Sequence, residues 1–172
     1  MISADLNAIV TLMANIALAL SVVVAVIFGI AQVQAAARDR RERLTLEALR
    51  AFSDREFSEL MQHVQWHAMP QTREELQALP DREQTLFIQL AQMMESLGIM
   101  VAEGLVNLDL VDKTLGDFVI TSWEKYKPVF LDMREKNPDP FLGEYFQWLA
   151  DTIARRMADN PREPFYKTGA RV

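Results

Sequence analysis

The chain has 172 residues, half of them apolar, with no cysteine and a formal charge of −6. That length suits one modest folded domain beside an apolar segment rather than a multidomain enzyme, and the lack of cysteine excludes disulfides, zinc–thiolate sites, iron–sulfur clusters and a Cys nucleophile. The charge is uneven: residues 38–50 carry +2 and the chain from Ala51 onward carries −7, an acidic body that argues against nucleic acid as a partner.

After a short N-terminus (1–7) containing Asp5, residues 8–31 hold no charged side chain. About 24 residues at a rise of 1.5 Å give a helix long enough to cross a hydrocarbon core with some tilt. Arg38, Arg40, Arg41 and Arg43 follow at once, whereas no Lys or Arg precedes the run. By the positive-inside rule this predicts a single-pass protein of the bacterial cytoplasmic (inner) membrane, with its N-terminus outside and its C-terminal domain in the cytoplasm. A cleaved signal peptide ending near Ala35-Ala36-Ala37 fits less well, because the cationic n-region is missing and the apolar run is long. Within the span Ala17, Ser21, Ala25 and Gly29 recur every four residues, a small-residue stripe that would let another helix approach closely. Asn15 is the one strongly polar side chain in the run.

Residues 32–52 contain neither Gly nor Pro and read as a juxtamembrane helix carrying the basic cluster, which would also attract anionic lipid. A helical domain is expected over 53–159. Ser53-Asp54-Arg55-Glu56 has the form of a capping box, followed by Phe57, Leu60, Met61 and Val64 on one face. Pro70 and Pro80 punctuate a connector in which Thr72 caps one short helix. The next helix opens at Asp81 and carries a broad apolar stripe through Phe87, Leu90, Met94, Leu97 and Val101, with Gly104 placed to end it. Another starts near Asp109 and buries Val111, Leu115, Phe118, Val119 and Trp123, until Pro128 stops, kinks or re-caps it. Asp139 and Pro140 are suited to N-cap and first-turn positions of a last helix bearing Leu142, Tyr145, Phe146, Leu149 and Ile153, which Asn160-Pro161 ends. Residues 160–172 read as a flexible tail. No stretch alternates like a strand, so the fold is expected to be all-α: one transmembrane helix and a four- to five-helix cytoplasmic bundle.

The order Glu95-Ser96-Leu97-Gly98, Glu103-Gly104-Leu105-Val106, Trp123-Glu124, Pro128, Arg134 and Phe146-Gln147-Trp148-Leu149 resembles a bacterial domain-of-unknown-function family of small proteins with an N-terminal span and a helical domain. The resemblance covers roughly residues 45 to 152. It implies architecture only, since these are packing and turn residues and no activity comes with them.

A search for chemistry returns little. There is no Gly-x-Ser-x-Gly elbow, Gly-rich phosphate loop, dinucleotide fingerprint or His-Glu-x-x-His, so no catalytic residue and no cofactor are expected. Glu59, His63 and His67 are spaced by four and would share a face if one helix carried all three; a carboxylate and two imidazoles are a ligand set for a divalent transition metal. Glu95 and Glu103 invite an acid–base reading, but solvated helix faces are the ordinary place for carboxylates. The aromatics Trp66, Trp123, Tyr126, Tyr145, Phe146 and Trp148 suit core or interface more than base stacking, and Phe141 or Trp148 would serve a docking patch. The expected partners are therefore the lipid bilayer and another membrane protein or a second copy. The expected role is a membrane-anchored interaction module, an accessory subunit or scaffold. The alternatives are a membrane-located regulator, sensor or defence effector that oligomerises through its span, and a metal-dependent enzyme using Glu59, His63 and His67.

Overall fold

The computed structural model describes residues 2–137 and 139–168, with the side chains of 2–8, Phe165 and Thr168 left aside. Met1, Pro138 and the tail residues 169–172 lie outside the described residues, as do the side chains of the N-terminal segment that carries Asp5. The described residues form helices joined by turns, with no strand among them: α1 (Ile2–Ala51), α2 (Arg55–Trp66), α3 (Arg73–Ala78), α4 (Asp81–Ala102), α5 (Leu108–Lys136), α6 (Glu144–Asp159) and a single turn, α7 (Phe165–Thr168). The fold is all-α, and the chain divides into two units, residues 1–40 and 41–172.

In the first unit every large apolar side chain from Ile9 to Val33 is 49–70% exposed. These side chains fall on all sides of the helix, so no single stripe selects a partner within the unit. Over this stretch α1 is long and apolar enough to cross a membrane.

The second unit is a bundle of α2, α4, α5 and α6 joined by the end of α1. Its core is built from the apolar stripes read in the sequence: Phe57, Leu60 and Val64 of α2, Phe87, Leu90, Met94, Leu97 and Val101 of α4, Val111, Phe118, Val119 and Trp123 of α5, and Phe146, Leu149 and Ile153 of α6 are all buried. α4 also has the length and apolarity of a span, but its buried stripe packs on α6 and makes it the central core helix. Aromatic rings interlock at the centre, with Phe87 and Tyr126 stacked at 4.0 Å and Trp123 edge-on to Phe146 at 5.2 Å. The end of α1 is held by Thr45, which is fully buried. Its hydroxyl donates to the Arg41 carbonyl (2.7 Å) and accepts from the Asn107 N–H (3.0 Å).

Three local features differ from the sequence expectation. Asp54, not Ser53, caps α2: its carboxylate accepts from the Phe57 N–H at 2.7 Å, while the Ser53 hydroxyl turns back to the Leu49 carbonyl. α5 continues through Pro128, which neither stops nor re-caps it. The residue whose carbonyl loses its helical partner there, Glu124, is exposed, so water can satisfy it, and Val129 and Phe130 beyond the proline are buried in the core. α6 begins at Glu144 rather than Pro140, because Asp139 spends its carboxylate on the Phe141 N–H (3.1 Å) in a tight turn. Leu142 consequently belongs to that turn. Gly104 does end α4, at φ +68°, with the N–H groups of Leu105 and Val106 both returning to the Met100 carbonyl.

Candidate functional site

Four places bear on function, and three of them carry the residues singled out in the sequence. The first is an open cleft of about 670 Å³ at the end of α2, lined by Glu59, His63, Trp66 and His67 and, from α4, Arg82 and Glu83. Glu59, His63 and His67 thus share one cleft but do not form a metal centre. His67 is the C-cap of α2, where the backbone leaves the helix at φ −110°, ψ 148°, and its Nδ1 lies 3.1 Å from the His63 carbonyl. A carbonyl only accepts, so Nδ1 carries the proton. The two imidazoles stack at 4.6 Å instead of converging, Glu59 pairs with Arg55 at 3.1 Å, and no three His, Asp or Glu side chains among the described residues stand where they could share a metal ion. Burial and the neighbouring His67 push the His63 imidazole below its ordinary value, with Glu83 opposing and Arg82 assisting. Trp66, at 76% exposure, belongs to this cleft and not to the core.

The second place gathers several of the residues that carried the family resemblance, among them Glu95, Gly98, Arg134 and Gln147. The Gly143 N-cap of α6 is left-handed, at φ +69°, and supplies no side chain. Glu95 of α4 closes that helix end from across the bundle, its two carboxylate oxygens accepting the N–H groups of Tyr145 (3.2 Å) and Phe146 (2.8 Å). A carboxylate here also complements the positive end of the helix dipole. One turn along α4, Gly98 lets the backbones meet, since a Cβ there would stand 2.4 Å from the Tyr145 carbonyl oxygen. From α5, Arg134 donates through Nε to the Leu142 carbonyl (2.8 Å) and through Nη1 to Gln147 Oε1 (2.7 Å). A Cβ on Gly143 would meet the Phe130 ring at 2.6 Å. Glu95, Gly98, Arg134, Gly143 and Gln147 together fix the turn that leads into α6. Beside it lies an apolar pocket of about 310 Å³ whose polar linings, among the described residues, are Gln92 and Glu95. Glu95 and Glu103 are not an acid–base pair: Glu95 is committed to α6, and Glu103 is the exposed C-cap of α4.

The third place is a carboxylate–guanidinium network at the start of α5. Asp112 is 5% exposed, with Arg156 Nε 3.7 Å from Oδ2 and Arg162 Nη2 3.2 Å from Oδ1. Asp109 beside it takes Lys113 (2.5 Å) and Arg156 (3.1 Å), and the Lys113 hydrogen bond holds its carboxyl below the usual range. Neither Arg156 nor Arg162 was singled out in the sequence, because both lie more than 40 residues from their partners and no local pattern links them.

The fourth is α1 itself. Ala17, Ser21, Ala25 and Gly29 are all exposed; the Ser21 hydroxyl is satisfied by the Ala17 carbonyl at 2.8 Å, and nothing lies within 4 Å of a Cβ placed on Gly29. Arg38, Arg40, Arg41 and Arg43 are exposed and make no ion pair with another described residue.

The sequence matches the family described as Domain of unknown function (DUF4760) over residues 19–153. The chain belongs to that family. The DUF4760 match begins inside the apolar part of α1, well before the span of 45 to 152 implied by the motifs, and so takes in the arginine cluster as well as every residue around the α6 turn. No curated protein and no solved structure matches the chain.

Proposed function

We propose that this DUF4760 protein is a membrane-anchored interaction module: α1 crosses a bacterial inner membrane once, N-terminus outside, and the helical body docks a protein partner or a second copy at the cytoplasmic face. The observation that carries this reading is the apolar surface of α1, exposed on every side from Ile9 to Val33. A helix that buries one face shows a stripe; one apolar all round asks for a hydrocarbon solvent. The arginines at 38, 40, 41 and 43 support the orientation, since cytoplasmic flanks are the ones that gather positive charge.

Two features favour interaction over simple anchoring. Phe141 (70% exposed) and Trp148 (36%) leave aromatic surface uncovered at the start of α6. The stripe Ala17, Ser21, Ala25, Gly29 has its one hydroxyl already satisfied, so it offers close backbone approach without an unpaired polar group, and it favours self-association through the span as the second reading. Amine-reactive crosslinking in native membranes, with and without Ala25→Leu, tests both. Discrete crosslinked species that persist in Ala25→Leu support docking through the body; species lost in Ala25→Leu support the span. A protein that crosslinks to nothing in either form contradicts the interaction reading.

A further inference from the structure

We infer that Asp112 is the floor of a docking site for a basic side chain of a partner protein, and that the chain's own Arg162 fills this site until the partner arrives. The inference deepens the interaction reading above and rests on it for the existence of a partner, but not for the chemistry of the site.

The argument starts from a carboxylate that is 95% removed from solvent. Such a group is tolerated only when a cation and directed hydrogen bonds replace water. Asp112 has the cations but lacks some of the bonds. Arg162 Nη2 stands 3.2 Å from Oδ1, yet it donates to the Asp112 main-chain carbonyl (3.1 Å), and among the described residues Oδ1 accepts no hydrogen bond. Arg156 is at 3.7 Å from Oδ2, beyond hydrogen-bond reach, and its Nη2 serves Asp109. The carboxylate is therefore compensated by charge but left short of donors. It borders a cavity of about 330 Å³ of mixed lining, in which Met61, Val64, Phe118 and Met157 would receive the aliphatic stem of a long basic side chain beside the polar Gln65, Lys113, Asp117 and Thr121.

The present occupant is poorly fastened. Arg162 comes from the segment beyond Asn160, its side chain is 39% exposed, and among the described residues of 161–168 it alone makes a hydrogen bond or ion pair to the bundle. If it leaves, Asp112 keeps only Arg156, at 3.7 Å and outside hydrogen-bond reach, and a buried carboxylate left without a donor is strongly unfavourable. Release is thus coupled to arrival of another cation, which restricts the partner to one presenting Arg or Lys. The −7 carried by the chain from Ala51 onward favours the same kind of partner.

The test uses the full chain in phosphatidylcholine nanodiscs and a fluorescein-labelled peptide of residues 161–168 as probe. Arg162→Ala vacates the site, so it should bind the peptide at least tenfold more tightly than the natural chain, where Arg162 competes. Replacing the peptide's arginine with citrulline, its neutral isostere, should cost tenfold or more, as should adding Asp112→Asn. Equal binding of the arginine and citrulline peptides, or no difference between Arg162→Ala and the natural chain, overturns the inference even if Asp112→Asn fails to fold. Peptide capture alongside an absence of crosslinked partners in native membranes would sustain the site and sink the interaction reading; crosslinked partners alongside an indifferent peptide would do the reverse.

Discussion

Removing the Glu95 carboxylate should loosen α6 at its first turn and cost about 2–3 kcal/mol. Glu95 accepts two first-turn N–H groups, those of Tyr145 and Phe146, and Gly143 offers no side chain to replace it. Hydrogen bonds to a charged group contribute about 1.5–3 kcal/mol each, and loss of an ordinary N-cap costs about 1 kcal/mol. Glu95 is half-buried, so water recovers part of the loss in Glu95→Ala, which sets the expectation below the sum of two full bonds. Glu95→Gln keeps one acceptor oxygen and loses the charge, and should cost about half as much. Denaturant unfolding of the full chain in detergent gives the free energies, and hydrogen exchange at the Tyr145 and Phe146 amides gives the location. If Glu95→Ala costs under about 0.5 kcal/mol and those two amides keep their protection, a long-range cap at this helix is wrong.

Other expectations concern the same body. Gly143→Ala combines a φ of +69° with a Cβ 2.6 Å from the Phe130 ring, and Gly98→Ala drives a Cβ to 2.4 Å from the Tyr145 carbonyl oxygen; each should cost about 1–3 kcal/mol, read as a lowered denaturation midpoint, and an unchanged midpoint would refute the close approach. Asp54→Ala should destabilise by about 1 kcal/mol and Ser53→Ala hardly at all, whereas the reverse order would restore the Ser53 capping box. His63 is held below its ordinary 6.5 mainly by burial and then by His67. Both states are neutral well above pH 6.5; as pH falls below it the unfolded chain takes the proton first, so stability declines down to the folded-state value. His63→Asn should flatten that decline in a pH series of unfolding midpoints, and an unaltered slope would count against the assignment.

What the sequence made legible was whatever repeats locally. The apolar stripes of α2, α4 and α5 named their buried residues, whereas Trp66, grouped in the sequence with the core or interface aromatics, is exposed on the side of α2 opposite Phe57, Leu60 and Val64. Gly104 could be read as a helix end because a left-handed C-terminal residue follows a local rule. Caps were harder. Ser53 and Asp54 are both good N-caps one residue apart, and the choice between them follows the burial of Phe57. The start of α6 was misplaced because Pro140 imitates a first-turn residue while the group that closes the helix, Glu95, lies 50 residues away. The same distance hid Arg162 from Asp112. The spacing of Glu59, His63 and His67 promised a shared helical face, but α2 ends before His67, and the ring folds back onto His63.

Membrane anchoring with the body inside is the central claim, and a chain free of cysteine offers a direct measurement of it. Single-cysteine forms Ser3→Cys and Ser53→Cys, expressed in bacterial cells, would be exposed to a membrane-impermeant maleimide before and after permeabilisation, with alkaline carbonate extraction run on the same membranes. The account predicts full-length protein in the carbonate-resistant pellet, with Ser3→Cys labelled in intact cells and Ser53→Cys labelled only after permeabilisation. Release into the carbonate supernatant, a product shortened near Ala37, or labelling of Ser53→Cys in intact cells would contradict it.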